Sequence, residues 1–321
     1  MTTSILVAGA TGDLGARLVR ELLLHDTHIR VLTRHSTGTA RELYGDTPDR
    51  ISIVEAAYTD KGALTSALSG MDTVISALSG TRKVIVDAQR ALLTSAVRAG
   101  VTRFIPSDYS SDYRQIALGS NRNFELRREF AGDVDTASIR ATSVLNGAFT
   151  DMLTGQAPMI SFPRRRVMYW SSPDQILDFT TKDDVARFTA RVALDENAPR
   201  FVEVAGDQVT ARQVAATLTE LTGTPFRLQW AGTTGTLSAL SKVMRRLSKD
   251  DEETFPVWQG MQYFASMFSG EAKLHHVDNL RYGHQEWTTV RDVLSAHLAT
   301  SRPGLSMTEP PAPRPTASRQ H

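Results

Sequence analysis

At 321 residues, with 41% hydrophobic and 22% charged side chains, the chain is long enough for one large or two modest globular units with a substantial core. Its 36 Lys and Arg nearly cancel 35 Asp and Glu, for a formal net charge of +1, so a nucleic-acid surface built on bulk charge is not expected. The absence of cysteine excludes disulfides, thiolate metal sites and a cysteine nucleophile, and fits a cytoplasmic protein.

The chain opens on a short apolar run, residues 5–8, that enters the glycine-rich turn Gly9-Ala10-Thr11-Gly12-Asp13-Leu14-Gly15. Leu14, Leu18, Val19, Leu22 and Leu23 then recur at three- and four-residue intervals, as one buried face of a helix should. A second apolar run at 28–33 completes a βαβ unit. No basic region precedes the first run, and it passes straight into the turn, so it reads as a strand and not as a signal peptide. The spacing is Gly-x-x-Gly-x-x-Gly. Gly9 permits the exit from the strand, Gly12 lets the backbone approach a pyrophosphate, and Gly15 lets the helix pack close to the sheet. Free N–H groups at the helix N-terminus favour a phosphate there. An acidic residue at the end of the second strand, about 20 residues on, would bind the ribose 2′-hydroxyl of NAD. This chain has Arg34, followed by His35 and Ser36. The planar fork of an arginine suits a 2′-phosphate, which predicts NADP(H) as cofactor.

Further on, strands are predicted at 51–54, 73–78, 101–106 and 137–145, and helices at 60–68, 84–99 and 123–130, with Gly100 as a helix stop. This alternation over about 145 residues predicts an α/β fold with a doubly wound parallel sheet. After Phe149 the order changes. Residues 159–170 have strand character, with Arg164 to Arg166 as a solvated turn. A helix runs from about 180 to 194, a strand from 201 to 205, and Thr210-Ala-Arg-Gln213 resembles a capping box that opens a helix ending near Gly223. A strand at 226–230, helices at 235–247, 255–268 and 288–298, and a proline-interrupted tail from 302 complete the chain. The tail is expected to be disordered. The Met- and aromatic-rich stretch 255–268 reads first as core, and is also the best candidate for a substrate-facing lobe. His275 and His276 are adjacent and diverge, without a Glu/His pair at helical spacing, so no metal site is expected. No Gly-x-Ser-x-Gly nucleophile turn occurs, and no run reaches the roughly 18 apolar residues of a membrane span.

Together these residues resemble the NmrA-like, isoflavone-reductase-like branch of the atypical short-chain dehydrogenases. The matching segments are Gly9 to Gly15, Arg34, Gly70-Met-Asp-Thr-Val-Ile-Ser76, Val101-Thr-Arg-Phe-Ile-Pro-Ser-Asp-Tyr109, Asn146-Gly-Ala-Phe149 and Asp178-Phe-Thr-Thr-Lys-Asp-Asp-Val-Ala186. The resemblance covers roughly residues 4–300. It implies a Rossmann domain over 1–155, to which 178–205 return, and a smaller discontinuous α+β lobe from 156–177 and 206–300. It further implies an NADPH-dependent reductase of a small aromatic or conjugated metabolite. The alternative is a non-catalytic NADP(H)-binding regulator that works through a protein partner. For the cofactor it implies contacts from Gly9, Thr11, Gly12, Asp13, Leu14 and Gly15 to the pyrophosphate. Arg34 with His35 or Ser36 would hold the 2′-phosphate, Ser76, Ala77, Leu78 and Ser107 would line the ribose side, and Asn146 and Phe149 the nicotinamide. The chain departs from the family's pattern where chemistry is expected. No lysine occurs between Lys83 and Lys182, and Asn123 stands at the position of the reductases' lysine. Asn123 cannot transfer a proton at neutral pH, although it can hydrogen-bond a carbonyl. The proton would come from Tyr109, Tyr113 or a water held by Asn123.

Overall fold

In a computed structural model the chain is described over residues 2–34, 37–45, 49–155, 159–248 and 253–300. The predicted tail, 302–321, lies outside them. The first half runs β1 (Thr3–Ala8), α1 (Asp13–Leu23), β2 (Thr27–Thr33), α2 (Gly38–Tyr44), β3 (Ile51–Glu55), α3 (Lys61–Leu68) and β4 (Thr73–Ser76). A π-helical turn (Lys83–Ala88) leads into α4 (Gln89–Arg98), β5 (Arg103–Ile105), α5 (Arg122–Thr136), β6 (Arg140–Ala141) and β7 (Ser143–Leu145).

The six strands β1 to β6 form one parallel sheet in the order β3-β2-β1-β4-β5-β6. β1 is at its centre, with Val7 opposite Val31 on one side and Ile75 on the other. Its apolar run is continuous because both faces are covered. Ile5 and Val7 pack with Leu18, Val19 and Leu22 of α1, whereas Leu6 and Ala8 pack with Leu64, Leu68, Leu92 and Phe130 from the helices opposite. These four side chains of β1 have no solvent exposure. Full burial of a leucine or isoleucine contributes about 1.5–3 kcal/mol, so this strand anchors the domain.

The second half runs β8 (Ala148–Phe149), a 3-10 turn (Thr150–Thr154), β9 (Ile160–Ser161), β10 (Arg166–Tyr169), β11 (Ile176–Thr180), α6 (Lys182–Leu194) and β12 (Phe201–Glu203). It ends with β13 (Asp207–Thr210), α7 (Ala211–Thr222), β14 (Arg227–Trp230), α8 (Thr234–Leu247), α9 (Val257–Ser269) and α10 (Val290–Thr300). α6 packs its Val185, Ala186 and Phe188 into the core shared with α1, and β12 pairs in parallel with β7. A separate core gathers Trp170, Phe179, Leu218, Phe264 and Phe268, with Trp170 stacked on Phe264 at 5.1 Å between centroids. Among the described residues no helix is long and apolar enough to cross a membrane.

Several elements differ from the sequence reading. The helix expected over 84–99 begins with a π turn over Lys83–Ala88, an extra residue in one turn that a short apolar pattern does not distinguish from a regular helical start. α5 continues past Phe130 to Thr136, through Gly132 and Asp133, because Ala131 and Val134 are buried. Packing overrides weak propensity there. The strand expected over 137–145 breaks at Thr142 into β6 and β7. α2, β8, β11 and β13 were not predicted. In β11 the buried Asp178 interrupts the apolar pattern, and its carboxylate accepts the Leu274 N–H at 2.7 Å. Local chemistry held elsewhere: the Thr210–Gln213 capping box is formed at α7, and Gly100 and Gly223 follow their helices with φ of +76° and +65°.

Candidate functional site

In this strand order the chain reverses direction between β1 and β4, and ligands of open α/β sheets settle outside the carboxyl ends of such strands. The glycine turn lies there. Gly9 has φ of +82°, and a Cβ on it would stand 2.6 Å from the Ala77 carbonyl oxygen just beyond β4. Gly12 closes the turn by donating its N–H to the Gly9 carbonyl at 3.0 Å, and the Gly12 carbonyl accepts the Ala16 N–H at 2.8 Å. Gly15 is tightly placed, though its neighbour is the turn: a Cβ on it would overlap the Gly9 carbonyl and approach Ala10 Cα to 2.8 Å. Its role is therefore to seat α1 on the turn's own backbone. The buried Tyr44 hydroxyl fixes the turn from below by donating to the Ala10 carbonyl at 2.6 Å, and burial pushes this phenol up to about 12. Thr11, Gly12 and Asp13 are exposed, and Leu14 is partly buried against the core. No side chain caps α1 at Gly12, so its first N–H groups are available to an anion.

The facing wall comes from β4 and β5. Ala77 donates its N–H to the Ala8 carbonyl at 2.8 Å. Ser107 binds the two strand ends together, its Oγ donating to the Leu78 carbonyl at 2.6 Å and its N–H to Gln89 Oε1 at 2.9 Å. Gln89, fully buried where the π turn meets α4, also donates from Nε2 to the Ile85 carbonyl at 2.7 Å. Sequence reading passed over it, and a buried amide inside an apolar helix face was the available signal. Asn146 is held by its backbone, with its N–H on the Ser110 carbonyl and its carbonyl accepting Thr180 Oγ1. Phe149 is half-buried, with Lys182 Nζ 5.9 Å from its ring centroid. Three buried polar atoms around this wall have no hydrogen-bond partner: Ser76 Oγ, Asn146 Oδ1 and Thr150 Oγ1. Unpaired buried polar atoms are uncommon and costly, which marks the region as one able to receive a polar ligand.

Arg34 follows β2, two residues beyond Leu32, which pairs with Ala8. It is exposed and forms no ion pair with a described residue. Its charge bears on Tyr58, where burial prevails and raises the phenol well above its usual range. His35 and Ser36 lie outside the described residues.

Tyr109, Tyr113 and Asn123 occupy three separate environments. Tyr109 is 6% exposed and packs among Val185, Ala186 and Phe188, and its hydroxyl makes no hydrogen bond of good geometry, the one toward Thr189 included. Tyr113 is 1% exposed and donates its hydroxyl to Asp108 Oδ2 at 3.0 Å. The same oxygen accepts Ser143 Oγ at 2.6 Å, and Arg200 in turn donates to Ser143 Oγ at 2.7 Å. Burial pushes all three acids up, Asp108 as well as both phenols. Asn123 is 2% exposed. Its Oδ1 accepts Arg122 Nε at 3.0 Å, and its Nδ2 donates to the Thr254 carbonyl at 3.2 Å. The Arg122 guanidinium also lies 4.6 Å from the centre of the Trp258 ring, so the start of α9 covers this end of α5. A surface depression of about 510 Å³, lined by residues such as Arg212, Ala215 and Phe226, shares no residue with any of these groups.

A model of the NmrA-like family matches residues 1–272. Pinoresinol reductase 1 of Arabidopsis thaliana is 30% identical over 206 residues, 60% of this chain and 65% of that protein. Bifunctional pinoresinol-lariciresinol reductase 1 of Linum usitatissimum is 28% identical over 233 residues, 68% of this chain and 75% of the relative. The matched region thus spans slightly less than two thirds of the Arabidopsis protein. The solved structure of AtPrR2 with NADP+ and (+)pinoresinol superposes with a TM-score of 0.77 at 21% identity, covering 92% of this chain and 99% of that one.

Proposed function

The chain belongs to the NmrA-like family, and from that membership we propose that it is an NADPH-dependent reductase of a small aromatic metabolite. The observation that carries the cofactor is the glycine turn at the β1/β4 reversal, where an uncapped helix N-terminus meets a backbone too close for any Cβ at Gly9 or Gly15. The unpaired Ser76 Oγ and Asn146 Oδ1 fit a polar ligand along the facing wall. The relatives' names, pinoresinol and pinoresinol-lariciresinol reductases, support the substrate class and the direction of the chemistry.

In this reading the backbone N–H groups of Thr11, Asp13, Leu14 and Gly15 hold the pyrophosphate, aided by the dipole of α1, while the Gly12 N–H closes the turn on the Gly9 carbonyl. Arg34 holds the 2′-phosphate. Ser76, Ala77, Leu78 and Ser107 line the ribose, and Asn146 and Phe149 flank the nicotinamide. NADPH, when bound, supplies a hydride. The residues of this chain position the substrate, and positioning supplies much of the acceleration. For the proton the surroundings favour solvent. The Tyr113 hydroxyl is committed to Asp108, Tyr109 is enclosed by the core against α6, and the Asn123 amide has no proton to give.

One observation favours a second reading, a dinucleotide-binding regulator that acts through a protein partner. Asn123, at the position of the family's lysine, has both ends of its amide engaged by Arg122 and Thr254. Calorimetric titration with NADPH and NADH, followed by NADPH oxidation against aromatic ketones, enones and aryl ethers, separates the two. Turnover on any of them establishes the reductase. Tight NADPH binding without turnover establishes the regulator, and no binding of either nucleotide overturns both.

A further inference from the structure

Lys182 is the first residue of α6, where the helix dipole disfavours a cation. Asp13 is the first residue of α1, where a carboxylate suits the dipole and yet repels any other anion that approaches the same N–H groups. Lys182 alone is misplaced for its helix, and the fold brings it to Asp13 across 169 positions: Lys182 Nζ donates to Asp13 Oδ2 at 2.6 Å. A lysine that breaks the rule for its own helix and is aimed at the N-terminus of another points to a site and not to an accident of the surface.

Asp13 has a second cationic partner besides Lys182. Its other oxygen, Oδ1, accepts Arg17 Nε at 2.8 Å within α1, and Arg17 also reaches Asp183 at 2.5 Å. Lys182 and then Arg17 hold the Asp13 carboxyl below the usual carboxylate range. At α6 the Lys182 N–H is already taken by Asp151 Oδ2 at 3.1 Å, and Thr181 caps the helix, so this terminus offers its ammonium more than its backbone. Asp13, Asp183, Arg17 and Lys182 sum to zero charge. Without Lys182 the group is left at minus one beside the turn assigned to a diphosphate. The lysine side chain is 20% exposed, sits on a flexible four-carbon stem and lies against Phe149, between the turn and the wall that faces it.

We propose that Lys182 is a diphosphate-binding residue of the dinucleotide site, which moves from the Asp13 carboxylate to the ligand while Arg17 keeps Asp13 paired. This rests on the reading of the Gly9–Gly15 turn as an NADP(H) site. The test uses the full chain and three probes in calorimetry at low salt: NADPH, 2′-phospho-ADP-ribose, and 2′-adenosine monophosphate, which carries a 2′-phosphate and no diphosphate. Lys182→Met should weaken the first two by about 10-fold or more, the scale of one lost charge-assisted hydrogen bond, and leave the third unchanged, which also reports that the variant is folded. Lys182→Arg should restore most of the loss. Asp13→Asn should tighten NADPH, because the carboxylate no longer competes for the ammonium. Unchanged NADPH affinity in Lys182→Met, or equal weakening of all three probes, overturns the assignment to the diphosphate. A wild-type chain that binds none of the probes overturns the dinucleotide reading itself.

Discussion

Alanine substitution at the three turn glycines should separate folding from binding, because their surroundings differ sharply. At Gly9 the φ of +82° costs an L residue about 1–2 kcal/mol. The added Cβ, 2.6 Å from the Ala77 carbonyl oxygen, forces the end of β4 away, at about 1–3 kcal/mol more for overpacking. Gly9→Ala should therefore lose roughly 2–5 kcal/mol. Gly15→Ala gains about 1 kcal/mol of helix propensity, but its methyl group overlaps the Gly9 carbonyl and meets Ala10 Cα at 2.8 Å. No rotamer relieves a clash with backbone, so α1 has to lift from the turn and the net change should be a loss of about 2 kcal/mol. Gly12 has φ of −79° and ψ of 167°, open to any residue, and its Cβ would meet only the Gly9 carbonyl oxygen at 3.3 Å. Gly12→Ala should cost about 0.5–1 kcal/mol, the price of a poorer N-cap. All three should weaken NADPH, so Gly12→Ala alone combines near-native stability with impaired binding. Urea midpoints at constant m-value supply the stabilities, and calorimetry the affinities. A Gly15→Ala protein as stable as wild type, or a Gly12→Ala protein that loses several kcal/mol, would refute this account of the turn.

Arg34→Ala should weaken NADPH by about 10- to 150-fold, equivalent to roughly 1.5–3 kcal/mol, and leave NADH nearly unchanged; equal loss of both by calorimetry would reduce Arg34 to a structural residue. If solvent supplies the proton, Tyr109→Phe and Tyr113→Phe should leave kcat within about tenfold of wild type, whereas a fall of about 10²- to 10⁴-fold in either would identify that tyrosine as the acid. Asp108 is raised in the folded chain by burial, against the opposing hydrogen bonds of Ser143 and Tyr113. Its stabilising contribution is full below the unfolded carboxyl value of about 4 and is lost as pH rises through the folded value. Asp108→Asn should therefore gain stability on wild type as pH increases from about 4, and parallel denaturation midpoints across that range would show that Asp108 does not titrate differently in the fold.

Much of this protein was legible in the one-dimensional chain because the signals involved are local. The leucine spacing after Gly15 fixed the inner face of α1, continuous apolar runs marked strands buried on both sides, and Gly9, Gly100 and Gly223 lie where only a left-handed backbone continues the path. Thr210 and Gln213 closed their capping box for the same reason: three residues apart, they find each other in any helix that starts there. The position of Arg34 followed from strand length alone. Contacts across long separations were not legible. Asp13 meets Lys182, Asn123 meets Thr254, and Asp108 meets Ser143 through the packing of segments 35 to 169 residues apart. Tyr109 and Tyr113 share a four-residue spacing in sequence and part into different cores, since the segment that carries them is not helical and the spacing therefore implies no shared face. A residue's type and neighbours in sequence determine which backbone it favours. Which charge it meets, and whether water reaches it, depends on surfaces that exist only once distant segments have packed.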